Sequence, residues 1–157
     1  MKPFDIIIIQ AHLKINPMAL IIYERTSTWW THCVLVKNDN GDIWNPNVGG
    51  ILDDNISRCK GRKICVLRYK HSFDEKPMYD WVLSKQKTCE GYDYIALLGF
   101  LTGVKYFEDE ERWYCAELPM WCFWDNGHKL SNEEMTFVYP SFFIQNTNFD
   151  IISEGIL

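Results

Sequence analysis

The stretch FDIIIIQ, residues 4–10, sets four consecutive isoleucines between an aspartate and a glutamine. A run so short and so β-branched reads as a buried strand. It falls far below the roughly 20 apolar residues a membrane-spanning helix needs, and it lacks the longer apolar core of a secretory leader. The chain is therefore expected to carry no signal peptide and no transmembrane segment, and to be cytoplasmic.

A buried strand needs partners on both sides, and the sequence offers them. THCVLVK reads as a strand, and NDNG at 38–41 is a strong hairpin turn. DIWNPN returns as the partner strand, which Pro46 is expected to end. KICVLRYK is a further strand, while VGGILDDNISRCKGR between them reads as a loop.

Helices are expected in four places. In NPMALIIYERT, Asn16 suits a cap and Pro17 the first helical position. SFDEKPMYDWVLSKQKTC carries acids early and lysines late, and Gly91 stops it. YDYIALLGFLTG is a second helical stretch, followed by the acidic loop FEDEER. YCAELPMWCFWDNG is another helix, with Pro119 tolerated near its first turn. FVYPSFFIQ and FDIIS are expected to be extended. Strands and helices in this order predict an α+β fold: one domain over residues 1–157, an antiparallel sheet with helices packed to one side.

Composition narrows the function. Apolar residues make up 47% of the 157 and aromatics 15%, so a packed interior is affordable and disorder is excluded. The formal net charge of -5, with no long Lys/Arg run, argues against a nucleic-acid partner. The six cysteines form no CxxC pair and no Cys/His set with zinc-finger spacing. They read as reduced thiols, and neither a metal nor a cofactor is expected.

The chemistry concentrates in RWYCAELPMWCFW, residues 112–124. Cys115 stands where a predicted helix begins, a position that stabilises a thiolate, although a structural cysteine is the competing reading. Cys122, two turns on, reads as a small buried hydrophobe. Among the four histidines, His71 and His128 read as exposed and His12 has no obvious partner. His32 opens a strand. With NDNG as the turn, Val36 lies opposite Ile43, Val34 opposite Asn45 and His32 opposite Asn47. Side chains alternate between faces, so His32 shares a face with Asn45 and Asn47. An amide there is what fixes an imidazole tautomer.

Four segments resemble a known family in order and content. FDIIIIQ with LIIYERTSTWWTHCVLV is similar to an opening strand, short helix and histidine strand. DIWNPNVGGI, GYDYIALLGF and WYCAELPMWCF follow in turn. Together they resemble the NlpC/P60 superfamily of papain-like thiol hydrolases, in its circularly permuted, YiiX/YebB-like and LRAT-related branch, where the histidine strand precedes the cysteine helix. The resemblance covers about residues 4–126. It implies Cys115 as nucleophile, His32 as base and Asn45 as the third polar residue, with Asn47 as rival if the register slips. Ala116 stands where the family usually has serine, and Asn45 where it often has glutamate.

The backbone N–H of Cys115 is then one oxyanion donor, and Tyr114 is a second candidate beside a simple packing role. Glu117 reads as a first-turn charge and Asp93 as a helix cap. The implied activity is attack on an amide of a peptide or cell-wall peptide through an acyl-enzyme. The alternatives are a thiol acyltransferase or lipase acting on acyl esters or lipids, and a binding protein that retains the fold. Trp29, Trp30, Trp113, Trp121 and Trp124 would line an acyl groove or fill the core.

Overall fold

The computed structural model describes residues 1–10, 17–93, 99, 112–131 and 138–157. Six strands form one sheet: β1 (Ile6–Gln10), β2 (Trp30–Val36), β3 (Asp42–Asn47), β4 (Gly50–Asn55), β5 (Lys63–Tyr69) and β6 (Phe149–Ile156). Their order is β4-β3-β2-β1-β5-β6, and every neighbouring pair is antiparallel. The described helices are α1 (Pro17–Thr26), α2 (Glu75–Thr88), α3 (Glu117–Asp125) and α4 (Pro140–Gln145), with a 3₁₀ turn at Ile56–Cys59.

The isoleucine run is the centre of this arrangement. β1 lies between β2 and β5 and is buried on both faces. Ile6 and Ile8 join Cys33, Leu35, Trp44 and Leu67 in the main core, under residues of α2, α3 and α4 such as Val82, Phe123 and Phe143. Ile7 and Ile9 point the other way, into a smaller cluster with Val34, Val36, Ile43, Ile64 and Val66. A strand apolar on both faces needs no alternation, which is why the run is continuous. Just before β1, Asp5 is buried and takes two hydrogen bonds from the Arg68 guanidinium, at 2.8 and 2.7 Å.

The NDNG turn forms as expected. Asn38 Oδ1 accepts from the N–H groups of Asn40 and Asp42, and Gly41 supplies the positive φ of 85° that closes it. The resulting register pairs Leu35 with Trp44 and Val36 with Ile43, as the turn position demands.

Elsewhere the expectations need correction. Pro46 does not end β3: it pairs with Ile51, and the segment read as a loop is a second hairpin, β3–β4, turning at Val48–Gly49. β4 is an edge strand with polar residues Asp53, Asp54 and Asn55, which hid its strand character. FVYPSFFIQ is not extended throughout, because Pro140 occupies the first position of α4. Nor do all helices lie on one side. Ala19 and Ile22 of α1 line the same cleft as Ile9, Val34 and Ile43, on the face opposite α2 and α3. Asn16, His12, most of YDYIALLGFLTG and most of FEDEER lie outside the described residues.

Candidate active site

The site assembles where β2 begins and α3 begins. Between β1 and β2 the ladder shifts: Ile9 pairs with His32 but Gln10 pairs with Trp30, leaving Thr31 as an extra residue. Such a bulge re-aims the side chains beside it. Cys115 lies in the turn that leads into α3, two residues before the first helical residue, Glu117. The Glu117 carboxylate, at the first helical position, reaches back to accept from the Tyr114 N–H at 3.0 Å and so tightens the turn before the helix. That turn holds Cys115 against β2, where its Sγ lies 3.9 Å from the Thr31 carbonyl.

His32 and Cys115 are close enough that each shifts the other's protonation. His32 Nε2 is 2.8 Å from Asn45 Oδ1. The tautomer follows from the next contact. Asn45 Nδ2 donates to Asp54 Oδ2 at 3.2 Å, and a carboxylate only accepts, so Oδ1 must face the histidine. Nε2 therefore carries a proton, and Nδ1 is the nitrogen left to exchange one with Cys115. Behind Asp54 stands Arg58, 3.4 Å from both carboxylate oxygens but largely exposed. The neutral amide is thus backed by a carboxylate one hydrogen bond further out.

Cys33 adds a contact that sequence reasoning missed. Its thiol donates to the Cys115 carbonyl at 3.0 Å. Cys33 is also the largest influence holding the Cys115 thiol well below its ordinary range. Burial opposes this, while the charge and hydrogen bond of His32 add to it. For His32, burial pulls downward, but the Cys115 charge and the hydrogen bonds to Cys115 and Asn45 outweigh it, so its pKa is raised. Both directions favour a thiolate–imidazolium pair. Burial acts the opposite way on Cys33, Cys59 and Cys122, which it raises, and on Cys65, which it pushes up to about 11.

Tyr92 is the second residue missed. Gly91 bridges to Arg112, and the Trp113 N–H donates to the Gly91 carbonyl at 3.2 Å, so residues 91–92 run beside the segment that leads into Cys115. The Tyr92 side chain hydrogen-bonds the Cys115 side chain and backbone, and burial, then the Cys115 charge, raises its pKa well above the ordinary phenol value. It stays a neutral hydroxyl donor. Tyr114 is placed otherwise: it is buried, and its hydroxyl accepts from the Val138 N–H at 3.0 Å.

The remaining sequence candidates fall apart from the site. Asn47 is exposed and accepts from its neighbour's N–H at Val48, so Asn45 alone of the two contacts His32. His71 is exposed, but His128 is half-buried against Tyr69, Phe73 and Phe123 rather than exposed as expected. Cys122 is fully buried. Asp93 is buried, and the helix it was expected to cap falls outside the described residues. Trp113 belongs to the main core, Trp30, Trp121 and Trp124 pack against it, and Trp29 stacks on Tyr23. None of these tryptophans lines the cleft beside His32.

That cleft has a volume of about 420 Å³ and contains His32, Asn45 and Tyr92. Cys115 is only 1% exposed and is reached from this cleft through its neighbours His32, Thr31 and Tyr92 rather than lining it.

With this geometry in hand, one solved structure is informative. The structure described as metalloprotein yiiX from Escherichia coli O157:H7, DUF1105, superposes with a TM-score of 0.61 over 99% of this chain and 98% of that one, at 12% sequence identity. The chain has a YiiX-like fold. No protein-family model matches the sequence, and no curated protein matches it. The bacterial neighbour's description calls it a metalloprotein. In this chain, among the described residues, no group of three or more His, Cys, Asp or Glu side chains could hold a metal ion. His32 and Cys115 supply two strong donors, and Asn45 turns its oxygen to the histidine. No described helix is long and apolar enough to cross a membrane.

Proposed function

We propose that this protein is a papain-like cysteine hydrolase of the permuted type, with Cys115 as nucleophile, His32 as general acid and base, and Asn45 orienting His32. The observation that supports this reading most is the run of neighbours Cys115–His32–Asn45–Asp54, in which Asp54 orients the amide and the amide orients the imidazole beside the thiol. A structural cysteine in a core needs no imidazole, and a structural histidine needs no lowered thiol.

In the proposed reaction the Cys115 thiolate attacks a carbonyl carbon, and the tetrahedral oxyanion is held by the Cys115 N–H and the Tyr92 hydroxyl. The imidazolium gives its Nδ1 proton to the leaving amine as the C–N bond breaks, leaving an acyl-enzyme. Neutral His32 then takes a proton from water, hydroxide attacks the thioester, and the carboxylic acid and thiolate are released. Asn45 and Asp54 hold the ring in place through both steps. Peptide amides, including cell-wall peptides, are the first substrate class. An acyl ester is the second, favoured by Ile9, Ala19, Ile22 and Ile43 along the cleft.

Peptidyl and fatty-acyl thiol-reactive probes of matched warhead test both at once. The expected result is covalent labelling at Cys115, faster with the peptidyl probe and lost in Cys115→Ala and His32→Ala. Faster labelling by the acyl probe would favour the ester reading. No labelling at Cys115 by either would remove the hydrolase.

A further inference from the structure

We propose that the cleft beside His32 is a carboxylate-binding subsite, with the Arg62 guanidinium as its anion receptor and a carboxylate-bearing peptide or acyl donor as its substrate. The inference rests on the thiol-hydrolase reading above and extends it to the substrate's charge.

His32, Asn45 and Tyr92 line the cleft, and the 3₁₀ turn with its following loop brings Arg58, Cys59 and Arg62 into the same lining. The two arginines are not equivalent. Arg58 is engaged with both oxygens of Asp54, and Asp54 is itself committed to Asn45. Arg62 is half-buried, lines the cleft, and has no hydrogen bond or ion pair at its guanidinium among the described residues. The next cation along, Lys63, is held by Glu154 at 2.6 Å and lies over the Trp30 ring. An uncompensated charge therefore sits inside the substrate space.

That charge works against the site as it stands. Arg62 opposes protonation of His32, while the thiolate–imidazolium pair requires it. An anion bound between them would remove the conflict. A second unpaired group points to the same occupant. Thr31 is 4% exposed, lines the cleft, and its hydroxyl oxygen has no hydrogen-bond partner among the described residues. A guanidinium fork and a hydroxyl donor suit the two oxygens of a carboxylate. With one free cation among the described lining residues, a monoanion fits better than a dianionic phosphate. The chain's net charge of -5 gives anions no general attraction, so the preference must be local.

The test compares two reagents of nearly equal size, iodoacetate and iodoacetamide, at Cys115 in the full-length protein. The measured quantity is the ratio of their alkylation rates at one pH, which cancels any change in thiolate fraction caused by the variant. Salt at about 0.15 M limits remote charges to a screening length of about 8 Å. The expected result is a ratio that falls about tenfold in Arg62→Ala, the effect of one charge-assisted hydrogen bond. Arg62→Lys should keep most of the preference, and Lys60→Ala, outside the cleft, all of it. Succinate should slow iodoacetamide labelling in the native protein but not in Arg62→Ala. An unchanged ratio in Arg62→Ala, with Cys115 still labelled selectively by iodoacetamide, overturns the subsite and leaves the hydrolase standing. Loss of selective Cys115 labelling by the neutral reagent overturns the hydrolase reading and the subsite with it.

Discussion

Replacing Asn45 by alanine removes two contacts at once: the 2.8 Å hydrogen bond to His32 Nε2 and the 3.2 Å link to Asp54. A hydrogen bond to a charged partner is worth about 1.5–3 kcal/mol. One pKa unit is 1.36 kcal/mol, so the lost bond corresponds to a shift of roughly one to two units. The direction follows from the site. His32 is raised by its partners, so losing one lowers it and shrinks the imidazolium window from the alkaline side. Cys115 is lowered partly by the His32 charge, so it rises and shrinks the window from the acid side. The assay is the rate of Cys115 alkylation by iodoacetamide against pH, read by peptide mass. The alkaline limb, set by His32, should move down by about one to two pH units, with a smaller rise of the acid limb, and turnover should fall by about tenfold to a hundredfold at ~1.4 kcal/mol per decade.

Asn45→Asp is a sharper version. Its new carboxylate would face Asp54 across the 3.2 Å gap and share a proton with it. The single variant should therefore behave much like the native protein. The double variant Asn45→Asp with Asp54→Asn should raise His32 further and extend activity to higher pH. An unshifted profile in Asn45→Ala would refute this reasoning, and a shift in Asn47→Ala instead would show that the third residue has been misassigned.

Other outcomes follow from single contacts. Cys33→Ala should raise the Cys115 pKa, slowing alkylation at pH 6 more than at pH 9, whereas Cys33→Ser, which keeps a donor, should shift it less. Tyr92→Phe should lower kcat by about tenfold to a hundredfold with little change in KM, as for loss of one oxyanion donor; Tyr114→Phe should not. Activity should survive EDTA; loss with EDTA and recovery with zinc would contradict the thiolate mechanism. Asp5→Ala strands Arg68 and should cost about 2–3 kcal/mol in thermal unfolding, at the low end for a buried pair because Arg68 is partly exposed.

Much of this was legible in the chain, for identifiable reasons. FDIIIIQ and NDNG are local signals, and once the turn was placed, alternation carried His32 and Asn45 to one face. The second hairpin was not legible because Pro46 and the acidic edge of β4 argue against a strand. Missing it meant missing Asp54, which faces Asn45 only when Asn45 pairs with Leu52. Drawing a turn at Val48–Gly49 would have found it. Cys33 was passed over because its side chain leaves the face opposite His32; only the packing of the α3 turn onto that face makes it a neighbour of Cys115. Tyr92 was folded into a helical reading, and its contact depends on the bridge between Gly91 and Arg112, residues far apart in sequence.

The central claim is that one buried thiol is acidic because of what surrounds it. Exposure alone would favour Cys59 and Cys89, which are half-buried, over Cys115 at 1%. Limiting iodoacetamide at pH 6, followed by peptide mapping, sets chemistry against access. The account predicts that Cys115 is modified first among the six cysteines, and that His32→Ala abolishes the preference. Modification of Cys59 or Cys89 ahead of Cys115, or a preference unchanged in His32→Ala, would contradict it.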